Sequence, residues 1–370
     1  MEAYYPSTAR RFVDGAGMTG KDVHTLSKVP DGLVAQLRHL SSHAETRGTL
    51  TPGQLSVIYE QKWFKLFVPS SLGGLALSLP EGVRLEEELA RVDGSLGWTV
   101  TLCAGANLFV GYMDRSVAGP VFADSRVCLG GSGQATGKAV AGGDGYRVSG
   151  RWRYATGAPH LTHFTANCVI EKDGATLLDA DGEPVIRSFF FPKSDVQIVE
   201  DWNTFGLKAT ASHSFVVDDV WAAPSQTFLI KPEAVTWDHP IYRYPFQQFA
   251  EVTLAANTLG MARHFLACAA AVNGTVLQKQ AEAAIHRLVK ASGSFYGVLD
   301  ASWDELLRTG KLSAAAAEEV SKWSRTLVRL SREQVIDIYP HLGMTGADLS
   351  SEVNRVWRDI FTASQHGLLR

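Results

Sequence analysis

Gly145-Tyr-Arg-Val-Ser-Gly-Arg-Trp-Arg-Tyr-Ala-Thr-Gly157 is the stretch that decides how this 370-residue chain reads. It leaves a turn cluster, Gly142-Gly-Asp-Gly145, and then alternates along its length as a β-strand does. It ends by delivering one hydroxyl, Thr156, beside a glycine. A hydroxyl at a strand end, next to a residue without a side chain, can meet a flat ligand at close range.

Outward from that strand the texture is uniform between residue 126 and about residue 224, rich in Gly, Val, Thr and Ser. Short alternating runs stand at 146–152, 164–170, 186–191 and 214–217, separated by turn clusters such as Lys172-Asp-Gly174 and Asp179-Ala-Asp-Gly182. This pattern predicts a small antiparallel β-domain closed as a barrel. Before it, residues 33–45 and 79–91 have helical spacing, Thr51-Pro-Gly-Gln54 is a helix start, and Asp93 opens a further helix. After it, helices are expected over 247–272, 279–300, 313–339 and 351–366, with Asn273-Gly274 as a stop. The expected fold class is α+β multidomain. An N-terminal all-α domain covers 1–125, a central antiparallel β-barrel domain 126–226 and a C-terminal helical bundle 227–370.

Composition narrows the function. The 35 Lys+Arg and 38 Asp+Glu leave a net charge of −3, which favours neither nucleic acid nor an anionic membrane surface. Apolar residues make up 45 %, enough for a sizeable core, and no apolar run is long enough to span a bilayer. Cys103, Cys128, Cys168 and Cys268 are far apart, with no CxxC pair, and read as small buried hydrophobes in a reducing compartment. Residues 1–20 contain no hydrophobic signal core, so the Asn273-Gly-Thr275 glycosylation pattern reads as chance and the expected location is the cytoplasm.

Three further segments invite chemistry. Gly130-Gly-Ser-Gly-Gln-Ala-Thr-Gly137 lacks the last glycine of a G-x-G-x-x-G loop, and a β-pattern rather than a helix follows it. It is either a plain connector or a Gly-rich loop lying against a flat ring, with Ser132 and Gln134 as polar contacts. His160 and His163 follow Pro159 with no carboxylate or cysteine at ligand spacing, so no metal is expected. Tyr242, Tyr244, Phe246 and Phe249 either wall a pocket or pack beneath a loop.

Taken in order, these segments resemble the acyl-CoA dehydrogenase superfamily. Ser149-Gly150, the aromatic Tyr154 and Ala155-Thr156 follow the register of its flavin-contacting strand. Asp201-Trp-Asn-Thr-Phe-Gly-Leu-Lys-Ala-Thr-Ala-Ser212 with Val217-Asp-Asp-Val220 is similar to its second conserved stretch, and Glu86-Glu-Glu-Leu-Ala-Arg-Val-Asp-Gly-Ser-Leu-Gly-Trp98 to its first. The resemblance implies a flavin, FMN or FAD. Thr156 would lie at the reactive ring edge, and Ser132, Gln134, Trp152, Thr210 and Ser212 near the cofactor. Trp98, Tyr244, Phe246 and Phe249 would stand around the substrate.

The last helix selects among branches. In many dehydrogenases of the superfamily a catalytic glutamate stands nine residues beyond an arginine like Arg358, and here that place is Gly367. His366 matches instead the Arg-Asp…Gln-His ending of the flavin-dependent monooxygenases on this fold. An imidazole, with a pKa of about 6.5, can orient or deprotonate a phenol or amine near neutral pH. The resemblance thus implies a monooxygenase served by a separate flavin reductase and assembled as a homotetramer or homodimer. Arg358 and Asp359 are expected to form an ion pair fixing the last helix. Two alternatives stay open: an acyl-CoA dehydrogenase with Glu251 as base, and a flavin-free binding relative. The second draws on a helix cut short near residue 273 and on the lack of a pyrophosphate-gripping arginine between 268 and 280.

Overall fold

The computed structural model describes residues 29–272 and 274–369. Residues 1–20, read for a signal core, and Asn273 of the glycosylation pattern and helix stop lie outside the described residues.

Among the described residues five helices precede the sheet: α1 (Asp31–Arg47), α2 (Pro52–Glu60), α3 (Leu79–Val92), α4 (Gly94–Asn107) and α5 (Arg115–Ala123). The starts of α2 to α5 are fixed by side chains that take up unpaired first-turn N–H groups. Thr51 and Gln54 form a capping box, as do Ser78 and Glu81, and Asp93 Oδ1 accepts the Leu96 N–H at 2.7 Å. α4 has no polar face; almost all of it is buried, with α3, a C-terminal helix and the sheet packed around it.

Eight strands follow: β1 (Leu129–Gly142), β2 (Gly145–Ala155), β3 (His163–Lys172), β4 (Ala175–Thr176), β5 (Ile186–Pro192), β6 (Gln197–Val199), β7 (His213–Ala222) and β8 (Thr227–Phe228). They form one mixed sheet in the order β6-β7-β2-β1-β3-β5-β8, with β4 paired to β3. The expected antiparallel barrel is corrected on two points. β1 and β3 are parallel, because the chain leaving β2 crosses over and returns on the far side of β1. The sheet also stays open, with β6 at one end of the order and β8 at the other. Alternation reports strand faces, not whether the end strands meet.

The segment from Gly130 to Gly137 is part of β1 rather than a loop or connector, with its pairing to β3 irregular between Ser132 and Gly137. Close approach explains Gly137: a Cβ there would stand 2.0 Å from Trp152 Cζ2 and 3.0 Å from Cys168 Sγ. Gly137→Ala should therefore lower stability by about 1–3 kcal/mol through overpacking, read as a lower urea midpoint at unchanged m-value.

The chain closes with α6 (Phe246–Ala271), α7 (Thr275–Thr309), α8 (Ala314–Ile338), α9 (Met344–Ala347) and α10 (Glu352–Ala363). α6 ends at Ala271, close to the expected stop, and α7 begins at Thr275 and runs for 35 residues, longer at both ends than the expected 279–300. Among the described residues no helix is long and apolar enough to cross a membrane.

Candidate active site

β2 ends irregularly. Tyr154 has φ 70°, in the left-handed region that non-glycine residues seldom occupy, and the pairing with β7 slips between Trp152 and Ala155. Such an irregularity re-aims the side chains beyond it. Tyr154 is thrown outward, 52 % exposed, with the Arg153 guanidinium 4.9 Å from its ring centroid. Thr156 turns inward and is 5 % exposed.

Inside, three hydroxyls form a row. Thr156 Oγ1 lies 2.9 Å from Ser212 Oγ, which lies 2.8 Å from Thr210 Oγ1. Thr210 Oγ1 donates to the Leu207 carbonyl at 2.9 Å. A carbonyl oxygen only accepts, so the row has a direction. Thr210 gives its proton to Leu207, Ser212 donates to Thr210, and Thr156 donates to Ser212. Thr156 Oγ1 keeps lone pairs and has no proton left to give. Toward any further ligand it is an acceptor.

The loop that carries this row is fastened to α10. The Leu207 N–H donates to Asp359 Oδ1. Arg358 donates to Asn354 Oδ1 at 2.8 Å, to the Phe205 carbonyl at 2.6 Å and to the Glu45 carboxylate on α1. The expected Arg358–Asp359 pair is thus corrected: successive helical residues do not face each other, and each of these two reaches a different partner. Burial, then the nearby Asp93 carboxylate, push Asp359 up to about 8, so its carboxyl is mostly protonated at pH 7.

Beyond α10 a turn sets His366 edge-on against Trp98 of α4, ring centroids 6.0 Å apart. Burial pushes the imidazole below its ordinary value and keeps it neutral at pH 7. The Leu368 N–H points at Nδ1 from 3.4 Å, which favours the proton on Nε2 and leaves an Nε2–H on the open edge of the ring. Five residues along α4, the Cys103 thiol donates to the Thr156 carbonyl at 3.7 Å. Five helical residues span about 7.5 Å. α4 therefore ties the imidazole and the hydroxyl row to neighbouring turns of one rigid, buried element.

The other expected site residues divide. Gln134 is exposed and lines a hollow of about 280 Å³ with Thr136, Arg151, Arg153 and Asp201, while half-buried Ser132 accepts the Gln134 N–H at 3.4 Å. Trp152 is corrected to a core residue. It is 0 % exposed, stacked on Phe215 at 5.1 Å, and its Nε1–H goes to the Asn167 carbonyl at 3.0 Å, because the alternation of β2 turns it inward. Buried Tyr244 bonds Ser302 Oγ at 2.8 Å and faces Trp303 of α7, and burial pushes its phenol up to about 12. Phe246 and Phe249 stack on each other and meet Phe109 and Phe67 respectively. Glu251 is buried, accepting from Gln247 at 3.1 Å with Arg325 at 3.6 Å. Arg151 and Arg153, which line that hollow, were not among the expected site residues. Strand register was the one available signal, and the slip beyond Trp152 hides it.

A family model described as the acyl-CoA dehydrogenase C-terminal domain matches residues 252–370. The indole-3-acetate monooxygenase of Pseudomonas putida is 24 % identical over 322 residues, covering 83 % of this chain and 80 % of its own. The flavin-dependent monooxygenase oxygenase subunit HsaA of Mycobacterium tuberculosis is 24 % identical over 378 residues, with 94 % and 92 % covered. Its crystal structure matches with a TM-score of 0.84 at 21 % identity, covering 94 % of this chain and 95 % of that one. XiaF from Streptomyces, solved with FADH2 and glycerol, matches with a TM-score of 0.84 at 21 % identity over 95 % and 92 % of the two chains. Helices, a central sheet and a helical bundle in this arrangement make an acyl-CoA dehydrogenase-like fold. Residues 252–370 thus match the acyl-CoA dehydrogenase C-terminal domain, the whole chain has the fold, and its homologues include oxygenase components of flavin-dependent monooxygenases.

Proposed function

We propose that this protein is the oxygenase component of a two-component flavin-dependent monooxygenase acting on a small aromatic or amine substrate. The observation that carries this reading is the directed hydroxyl row, which makes Thr156 an acceptor, tied through α4 to the Nε2–H of His366. A flavin fits these residues. The central nitrogen of a reduced ring bears an N–H that an oxidised ring lacks, and Thr156 Oγ1 is an acceptor for it. The residues that would hold the cofactor are Thr156, with Ser212 and Thr210 behind it, Tyr154 at the strand end, and Gln134, Thr136, Arg151 and Arg153 toward the phosphate. Bound reduced flavin would supply the activation of dioxygen.

The protein's own part is positional. Ser212 and Thr210 hold the Thr156 proton away from the ligand. His366 orients the substrate oxygen or amine through Nε2–H, with Trp98 as the wall behind it. The buried surroundings limit water at the reacting atoms. Reduced flavin would come from a separate reductase, since the chain carries no nicotinamide-binding fingerprint. FMN and FAD both suit two exposed guanidiniums, and a cytoplasmic homotetramer or homodimer is the expected form.

Anaerobic titration with photoreduced and oxidised FMN and FAD tests the proposal. Binding should be about tenfold tighter for the reduced ring, the worth of one hydrogen bond. Ser212→Ala should narrow that ratio, because Thr156 is then free to donate to the oxidised ring. Absence of flavin binding in both redox states would remove the reading.

A further inference from the structure

Behind Thr156, on the side away from the hydroxyl row, three groups with metal-ligand chemistry converge. Cys103 comes from α4, Cys128 from the residue before β1, and His160 from the turn between β2 and β3. One ligand atom from each lies within 4.8 Å of the other two. Both cysteines are fully buried, and neither nitrogen of His160 has a hydrogen-bond partner although both are buried. An interior imidazole left in that state costs free energy unless something completes it. Phe64 stacks on the ring at 5.6 Å and fixes its plane. Gly157, at φ 78°, leaves the space open: a Cβ there would stand 2.6 Å from His160 Nε2 and 3.3 Å from Cys103 Sγ. His160 Nε2 and Cys103 Sγ thus border the same gap beside Gly157.

We propose that Cys103, Cys128 and His160 bind a zinc ion. Two thiolates and an imidazole are a soft donor set of the kind that takes zinc at about 2.3 Å and 2.0–2.1 Å, which sets donor–donor edges at roughly 3.5–3.8 Å. The cluster closes onto such a tetrahedron with rotamer shifts of about 1 Å. Its fourth donor is the Thr156 carbonyl, already 3.7 Å from Cys103 Sγ. Charge selects the metal. Zn2+ with two thiolates and a neutral imidazole sums to zero, whereas monovalent copper would leave one negative charge at two fully buried sulfurs. Binding releases two protons, one from each thiol. The bound ion would staple α4, the approach to β1 and the turn after β2, the three segments that fix the carbonyl side of Thr156. This assignment stands whether or not the flavin reading does.

The test is metal analysis of the full-length, fully reduced protein after dialysis against a weak chelator. About one zinc per chain is expected, with a thiolate-to-metal charge-transfer band when cobalt(II) replaces zinc. Cys128→Ser and His160→Gln should each lose the ion and melt at a lower temperature. Stripping the wild type with a strong chelator should lower its melting temperature, and added zinc should restore it. A wild-type protein that retains no zinc and takes up neither zinc nor cobalt at micromolar concentration overturns the assignment, with no variant needing to fold. So does zinc that survives in Cys103→Ser/Cys128→Ser but is lost in Cys268→Ser, which would move the ion to the His264, Cys268 and Glu352 cluster.

Discussion

His366→Ala is expected to lower kcat/KM by about 100-fold or more, the usual scale for removing a positioned proton-handling group. The loss should fall mainly on the oxygenation step, leaving the affinity for reduced flavin within a few-fold of wild type. His366→Gln, which keeps an N–H donor, should recover part of the activity if the ring's role is to orient the substrate. The pH dependence has a definite sign. Burial places the folded imidazole below its ordinary value, so the ring stays neutral through pH 7 and gains a proton only in more acid solution. Protonated Nδ1 can no longer accept the Leu368 N–H, and the ring loses its orientation. The wild-type profile should therefore show an acid limb below about pH 6.5 that is absent from the alanine variant. Stability follows the same sign: as pH falls below the ordinary value the unfolded chain takes up this proton first, and the fold weakens. A wild-type profile flat from pH 7 to pH 5 would contradict the role given to His366.

Arg358→Ala is expected to destabilise the fold by about 3–5 kcal/mol, because it removes one partner of a buried pair. Arg358 is 6 % exposed and reaches Glu45 on α1, Asn354 on its own helix and the Phe205 carbonyl. Alanine leaves the Glu45 carboxylate and that carbonyl without a donor. Arg358→Lys should recover only part of the loss, since an ammonium cannot serve three partners spread across a planar fork. The combination of Arg358→Met with Glu45→Gln should be more stable than Arg358→Ala alone. Flavin affinity is the second readout. Phe205 and Leu207 belong to the loop that carries Thr210 and Ser212, and a freed loop lets the hydroxyl row lose its direction. A urea midpoint unchanged in Arg358→Ala would show that this anchor contributes nothing.

Much of the fold was legible because the signals are local. The capping pairs Thr51/Gln54 and Ser78/Glu81 lie within one helical turn, and Asp93 caps α4 from the position before it. The resemblance carried by the ordered motifs pointed to Thr156, Thr210 and Ser212, which the structure joins in one row, and to Trp98 and His366, which it brings into contact. Trp152 failed as a ligand contact because the strand face it occupies is settled by Phe215 and Asn167 on neighbouring strands. The glycine-rich start of β1 gave no strand pattern, since its side-chain-free positions answer to Thr165 and Trp152 across the sheet. Cys103, Cys128 and His160 carry no spacing motif, and only the crossover after β2 brings them together.

By itself the sequence determined the succession of helices, strands and helices, and which residue types could do the chemistry. Both are written in intervals of two to four residues, within reach of backbone geometry. The tertiary structure alone decided that the sheet stays open, that Thr156 accepts rather than donates, and that a thiol pair faces an imidazole. Each depends on groups distant in the chain, such as the Leu207 carbonyl behind Thr210, and the direction of a hydrogen bond is fixed only when the last acceptor in the row is in place.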